Sequence, residues 1–381
     1  MPAACLSDYQ ALARARLPRL LFDYIDGGSY GEVTLRRNVS DFEAVQLRQR
    51  VLRDVSAIDL KTTLFGKALA MPLALGPVGM AGMFARRGEA QASRAAAKAG
   101  VPFCLSTVGV CGLEEVTRAS GIPPWFQLYM IKDRDYMRQL IATARDLGCP
   151  VLVLTVDLPM PGARYRDMRT GRFGGTSLSG KIGTVIDGLT HPGWLMDVQF
   201  GGGPHTFGNL AAALPEARAV MEFWPWVGKN FDASLTWDDI AWVRDQWPGP
   251  LVLKGILDPE DARSARATGV EGIIVSNHGG RQLDGVPSSI AALPAIVQAV
   301  GADLTVLMDG GVRSGLDIVK AMALGARACL IGRGWAWALG ARGQAGVDHV
   351  LASLAREMVM ALALTGCVEA GRIDQTLLVN P

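Results

Sequence analysis

The sequence predicts an α/β fold: a (β/α)8 TIM barrel with an N-terminal helical cap and a long loop after the fourth strand. Three observations predict it. From residue 71 onward, short apolar runs alternate with longer stretches rich in Ala, Arg and Glu. The runs number eight, and they are continuously apolar, as parallel strands covered on both faces must be. Residues able to carry chemistry recur where each run ends. A doubly wound open sheet shares the alternation, but eight strand–helix units favour the barrel.

In order, the strands are "MPLALGPVG", "VPFCLSTV", "PWFQLYM", "PVLVLTVD", "PLVLKGI", "GIIVSNH", "LTVLMDGG" and "ACLIGR". Helices such as "RGEAQASRAAAKAG", "DRDYMRQLIATARDLG", "DPEDARSARATG" and "SGLDIVKAMALG" lie between them, and each of these stops at Gly. Residues 1–70 read as helical and charged ("SDYQALARARLPRLLFDYIDGG"), a cap rather than a separate unit. The chain therefore reads as one domain over 1–381, with the barrel over 71–381. Between "TVDLP" and Trp237, residues 158–236 are rich in Gly, Trp and Phe. A loop of that length inside a compact domain is expected to be a lid, a binding segment or partly disordered.

Composition narrows the function. Hydrophobic residues make up 49% and charged residues 19%, which suits a large core and not disorder. The net charge of +2 is scattered, without the clustered basic face of a nucleic-acid binder. The six cysteines form no CxxC pair and have no metal spacing with histidine, so they read as reduced and structural. "MPAACLSDYQ" lacks a signal pattern, and no apolar run approaches the ~18 residues of a spanning helix; a cytoplasmic protein is expected.

In such a barrel the site forms at the C-terminal strand ends. The residues there are Gly79, Ser106, Thr107, Gln127, Tyr129, Thr155, Asp157, Lys254, Ser276, His278, Asp309, Gly332 and Arg333. Singly, each could be a solvated strand end. As a set they mark one rim.

The last two strands end in "DGGVRSG" and "IGRG". Their glycines let backbone N–H groups approach a phosphate, and Arg313 and Arg333 can add charge. No GxGxxG follows an early strand, so a mononucleotide or sugar phosphate fits better than a nicotinamide cofactor. His278, with Gly279 and Gly280 leaving room beside it, can accept a proton near neutral pH. Asp157 is the carboxylate placed to orient it. The other histidines are weaker candidates: His191 and His205 lie in the long loop and His349 in a late helical stretch. Arg281 and Arg164 can clamp a carboxylate with paired hydrogen bonds, which implies proton abstraction beside that carboxylate. Tyr24 and Tyr129 can add hydroxyl contacts. Lys254 suits either a Schiff base or negative charge on a bound ring system, and the residues alone leave both open. No metal set is visible.

"SNHGGRQLD", "WFQLY", "TVDLP", "DGGVR" and "IGRG", in their respective strands, resemble the FMN-dependent 2-hydroxy-acid oxidases and dehydrogenases. The opening "FDYIDGGSYGEVTLRRN", with "PGARYRDMRTG" and "KGILDPEDA", is most similar to the bacterial respiratory members of that family acting on L-lactate. The resemblance spans essentially the whole chain. It implies FMN as cofactor, His278 as base oriented by Asp157, and the substrate carboxylate held by Arg164 and Arg281 with Tyr24 and Tyr129. It implies that Lys254 faces the flavin and stabilises its reduced form, against imine chemistry. Pro77, Val78 and Gly79 with Ser106, Gln127, Thr155 and Ser276 would line the flavin. Asp309, Gly310, Gly311 and Arg313, with Gly332 and Arg333, would take the ribityl chain and phosphate.

The implied reaction is oxidation of an (S)-2-hydroxy acid to the 2-oxo acid, by hydride transfer or through a carbanion. Gly79 is commoner where electrons pass to a quinone or cytochrome, whereas oxidases commonly have Ala there. Trp194, Leu195, Met196, Phe200, Phe207, Phe223, Trp224 and Trp226 give the long loop an apolar surface that could enter a bilayer interface. Expected partners are thus a small hydroxy acid, a quinone or other respiratory acceptor, the cytoplasmic face of the inner membrane, and further copies of the chain in a tetramer. The competing readings are a soluble glycolate- or mandelate-type oxidase using O2 and a non-catalytic FMN-binding barrel.

Overall fold

The computed structural model describes residues 3–169, 186–210, 227 and 229–380. Two short antiparallel strands, β1 (Thr62–Leu64) and β2 (Lys67–Leu69), precede eight parallel ones: β3 (Leu73–Leu75), β4 (Cys104–Ser106), β5 (Trp125–Leu128), β6 (Leu152–Thr155), β7 (Leu251–Ile256), β8 (Gly272–Val275), β9 (Thr305–Asp309) and β10 (Ala328–Ile331). The eight follow one another in order, with β10 returning to β3. A parallel bridge between Leu75 and Phe103 joins β3 to β4 and closes the ring. The expected (β/α)8 barrel is the fold, with every strand where its apolar run lies.

Side chains alternate along each strand. Cys104, Trp125, Val153, Val252, Ile274, Leu307 and Leu330 form an apolar cluster inside the barrel. Their neighbours Leu105, Phe126, Leu154, Leu253, Ile273, Met308 and Ile331 belong to the larger core shared with the helices. Two residues beyond each interior side chain, the same face carries Ser106, Gln127, Thr155, Lys254, Ser276, Asp309 and Gly332. The barrel is thus apolar below and polar at its C-terminal end, a consequence of period two alone.

The cap contains helices at Leu6–Arg16, Arg19–Asp26 and Val33–Ser40, as expected. The rest of residues 1–70 departs from the helical reading. The β1–β2 hairpin puts Leu64 and Leu69 into the interior cluster, with Phe65 edge-on to Trp125 at 5.8 Å, and so plugs the barrel's lower end. Residues 45–61 run along the C-terminal segment, Arg48 N donating to Leu377 O at 2.7 Å and Asp59 N to Val368 O at 2.8 Å. The last helix, Arg333–Thr365, starts directly from β10, breaks at Arg342–Gly343, and packs against the Leu6–Arg16 and Gly88–Ala99 helices. Among the described residues no helix is long and apolar enough to cross a membrane.

The loop after β6 is less exposed than its composition suggests. Trp194 and Phe207 are buried, Trp194 Nε1 donating to Met83 O at 2.8 Å. Met196 and Phe200 remain open to solvent, at 65% and 72%. Phe223, Trp224 and Trp226 lie outside the described residues.

Candidate active site at the C-terminal rim

The polar layer is wired internally. Lys254, on β7, is buried; its Nζ lies 3.0 Å from Asp309 Oδ2 and donates to Ser276 Oγ at 2.9 Å. Burial works to lower the Lys254 pKa, but Asp309 and Asp157 outweigh it, so the ammonium persists. Ser276 Oγ also accepts from His278 N at 3.0 Å. Ser106 Oγ donates to Gln127 Oε1 at 3.0 Å.

Directly above, His278 Nδ1 and Asp157 Oδ1 are 2.9 Å apart. The His278 backbone has φ +56°, a left-handed conformation that turns the chain sharply off β8. Burial pushes the His278 pKa down; Asp157 pulls it up, Lys254 and Arg281 push it down, and the net direction is downward. Burial also acts to raise the Asp157 carboxyl, but His278, Lys254 and the hydrogen bond hold it below the usual range. Asp157 is therefore ionised and can only accept, so Nδ1 donates to it and Nε2 of the neutral ring is left as a proton acceptor.

Asp157 fits because position 255 is glycine. A Cβ there would stand 2.5 Å from Asp157 Cβ and 2.6 Å from its Cγ. The sequence reading missed this. The register break of β7 against β8 between Lys254 and Ile256 accompanies it.

A cavity of about 1100 Å³, counting its open mouth, occupies the rim. Tyr24, Pro77, Val78, Gly79, Tyr129, Thr155, Arg164, Lys254, His278, Arg281, Asp309, Gly310, Gly311, Arg313, Gly332 and Arg333 all line it. Sixteen of the twenty expected residues are thus brought to one space. Asp157, Ser106, Gln127 and Ser276 are not on its lining; three of them stand in the polar layer and Asp157 stands behind His278. Lining residues that sequence reasoning missed include Ile25, Val108, Leu158, Val227 and Phe231. They are apolar, and an apolar residue in a loop carries no signal that it faces a ligand.

The cap completes the wall. Arg281 donates through Nη1 to the carbonyls of Tyr24 and Gly27, the latter at 3.0 Å, and its Cζ lies 4.8 Å from the Tyr24 ring centre. Arg164 is buried, with Asp167 at 3.6 Å. Tyr129 stacks on Phe231 with centroids 5.1 Å apart, and burial pushes its hydroxyl pKa up, keeping it protonated. Asn38 of the cap and Asn277 exchange two amide hydrogen bonds of 2.8 Å, docking the cap onto the strand end that carries His278.

Beside Arg281 lies a concentration of positive charge, Arg333 sharing the Gly27 carbonyl with it. Burial lowers the Arg333 pKa well below its usual value, and Arg281 and Arg313 add repulsion. Burial likewise lowers Arg313 to about 10. Arg333 directs three of its five N–H groups at carbonyls of Asp26, Gly27 and Gly279, at 3.2, 2.8 and 2.8 Å, which leaves two for a ligand. The long helix begins at Arg333 with no side chain capping it, so its first N–H groups are free for an anion. Two half-buried cations and an open helix end fit a phosphate dianion. Buried Gln127 Nε2, Thr155 Oγ1 and Asp309 Oδ1 lack protein partners, which suits a polar ring and chain above the barrel axis.

This fold and this site point to a class: barrel flavoproteins whose rim has arginines and an open helix end able to take a mononucleotide phosphate, and a histidine–aspartate pair beside two further arginines. Residues 13–380 match the FMN-dependent dehydrogenase family, and the chain belongs to it. FMN is its cofactor. An L-lactate dehydrogenase of Caulobacter sp. (strain K31) is 56% identical over 374 residues, covering 98% of each chain. One of Pseudomonas syringae pv. syringae is 52% identical with the same coverage. Among solved structures, the chain is similar to a monotopic membrane protein, (S)-mandelate dehydrogenase, at TM-score 0.93, 36% identity and full coverage of both chains. It is also similar to mandelate oxidase with (S)-4-hydroxymandelic acid, at TM-score 0.84, 40% identity and 97% coverage of both.

Proposed function

We propose that the chain oxidises L-lactate to pyruvate and passes the electrons to a membrane quinone or another respiratory acceptor. One observation carries the substrate class: a neutral histidine, backed by an ionised carboxylate, shares a cavity with two arginines that can hold a carboxylate. The identity of 52–56% to L-lactate dehydrogenases supports lactate as the particular acid.

In this reading Arg164 and Arg281 bind the substrate carboxylate, and the Tyr24 and Tyr129 hydroxyls orient its hydroxyl side. His278 Nε2 takes a proton from the bound acid, and Asp157 stabilises the imidazolium formed. Bound FMN supplies the two-electron acceptor. Lys254, held beside Asp309 and Ser276 on the cavity lining, would offer positive charge to the cofactor when it is bound. Arg313, Arg333 and the helix end at Gly332 hold the phosphate. Hydride and carbanion routes both load the same ring nitrogen.

Exposed Met196 and Phe200 support peripheral attachment to the cytoplasmic face of the inner membrane, as does the likeness to a monotopic membrane protein. A homotetramer is the proposed assembly. The likeness to mandelate oxidase favours a second reading, an oxidase that uses O2. Anaerobic reduction by a panel of 2-hydroxy acids, followed by reoxidation with air or a quinone analogue, separates the two. Rapid peroxide formation would sink the quinone-linked reading.

A further inference from the structure

Asp157 and Arg164 share a stretch of backbone that belongs to no regular element, between the end of β6 and the short helix Tyr165–Arg169. Pro159 and Pro161 stiffen it and disfavour helical backbone at Leu158 and Met160, but neither has an N–H with which to anchor the segment. The anchor is the side chain of Gln282. Its Nε2 donates to Asp157 O at 2.9 Å and to Met160 O at 3.0 Å, and its Oε1 accepts from Gly162 N at 3.1 Å. Two carbonyls and one N–H as partners fix which way the amide points. The two loops touch directly as well: a Cβ at Gly162 would stand 2.5 Å from Arg281 O and 2.9 Å from Gln282 Cα.

Gln282 is itself held from both sides. Arg281 before it donates to carbonyls of the cap, and Asp284 after it accepts from Thr34 N at 2.7 Å at the start of the helix Val33–Ser40. Gly280 N donates to Asn277 O at 3.0 Å, closing the turn off β8. Gln282 is half-buried and does not line the cavity. Yet both working pairs span the seam that it closes. His278 meets Asp157 across it, and the arginine pair takes Arg281 from one side and Arg164 from the other.

We propose that Gln282 is a positioning residue for the oxidation. By holding the main chain of residues 157–162 against the loop after β8, it sets Asp157 on His278 and brings Arg164 to the acid that Arg281 binds. The inference rests on the function proposed above and adds to it a residue that touches neither substrate nor cofactor.

The test is anaerobic flavin reduction by lactate, which yields a limiting rate and a half-saturating concentration. Wild type is compared with Gln282→Met, Asp157→Asn and the double variant. Methionine matches the length of glutamine but cannot donate to the two carbonyls. Bound-flavin absorbance and melting temperature report folding. Gln282→Met should lower the limiting rate by about 10- to 100-fold and raise half-saturation by about ten-fold, the scale of an ångström-sized misplacement. Added to Asp157→Asn, it should lower the limiting rate by no more than about three-fold further, because it acts through Asp157, and should still raise half-saturation through Arg164. A residue that served only the fold would multiply its full loss onto Asp157→Asn. That outcome would overturn the proposal, as would wild-type values in Gln282→Met. Gly162→Ala forces the same seam from the other loop and should show the same two changes. If Gln282→Met loses its flavin, Gly162→Ala decides, and wild-type values there would overturn the proposal. If no 2-hydroxy acid bleaches the wild-type flavin, the proposed function fails and the role of Gln282 with it; if lactate bleaches wild type and Gln282→Met alike, only the positioning role fails.

Discussion

His278 Nδ1 lies 2.9 Å from Asp157 Oδ1, although 121 residues separate the two along the chain. Gly255 admits Asp157, and Ser276 Oγ joins the His278 backbone to Lys254. Base, carboxylate and lysine form one network, so changes to any of them should be felt through the others.

The His278→Gln variant should remain yellow and folded, while its reduction by lactate slows by about 10²–10⁴-fold, the usual worth of a positioned base. Anaerobic stopped-flow absorbance measures this directly. Bleaching at the wild-type rate would remove His278 from the role of base.

The pH dependence has a definite sign. Catalysis needs the neutral ring, and the His278 pKa is depressed from its ordinary ~6.5. The kcat/KM profile should stay level down to about pH 6.5 and fall only as pH drops through the lowered value. Stability should decline in the same direction, because below the unfolded pKa the unfolded chain takes up a proton that the folded chain resists. Asp157→Asn removes the influence that raises His278, so its acid limb should move lower still while the plateau drops by about 10²-fold or more. An acid limb that moves upward would contradict this pairing.

Arg281→Lys keeps the charge but loses the planar fork. The expected effect is a rise in KM for lactate of about 10- to 100-fold, since hydrogen bonds to charged groups contribute ~1.5–3 kcal/mol. The variant also loses the contacts to Tyr24 and Gly27, so proteolysis of the cap should quicken. Steady-state kinetics and limited proteolysis check the two effects separately.

Lys254→Met leaves Asp309 buried beside an apolar side chain, a change expected to lower stability by about 3–5 kcal/mol. Adding Asp309→Asn should recover most of the melting temperature. It should not restore lactate-dependent flavin reduction, which on the present reading needs the cation. Equal recovery of both would make Lys254 a purely structural residue.

Replacing both Met196 and Phe200 by Asp should move the protein from the membrane to the soluble fraction and leave lactate oxidation with a soluble acceptor dye near wild type. Vesicle sedimentation is the measurement. Unchanged binding would point away from this loop.

The strands were legible because a buried parallel strand must be apolar throughout, and the rim because polarity at a strand end interrupts that run. The N-terminal hairpin was not legible. Thr62–Leu69 is short and half exposed, and its purpose, closing the lower end of the barrel, depends on a space that eight distant strands create. Residues such as Val108, Leu158 and Phe231 were missed for a similar reason: an apolar side chain facing a ligand looks the same in sequence as one facing the core.

By itself the sequence determined the barrel, the order of its strands and the residues at their ends, because alternation along a strand is a local property. Which of those residues meet was decided by closure of the ring and docking of the cap. Ser106, Gln127 and Ser276 fell into the layer beneath the cavity, and Asp157 stands behind His278 because Gly255 leaves it room. The apolar wall of the cavity at Phe231 is likewise tertiary. It depends on Phe231 being tied back to the end of β5, a contact across a hundred residues that no local pattern records.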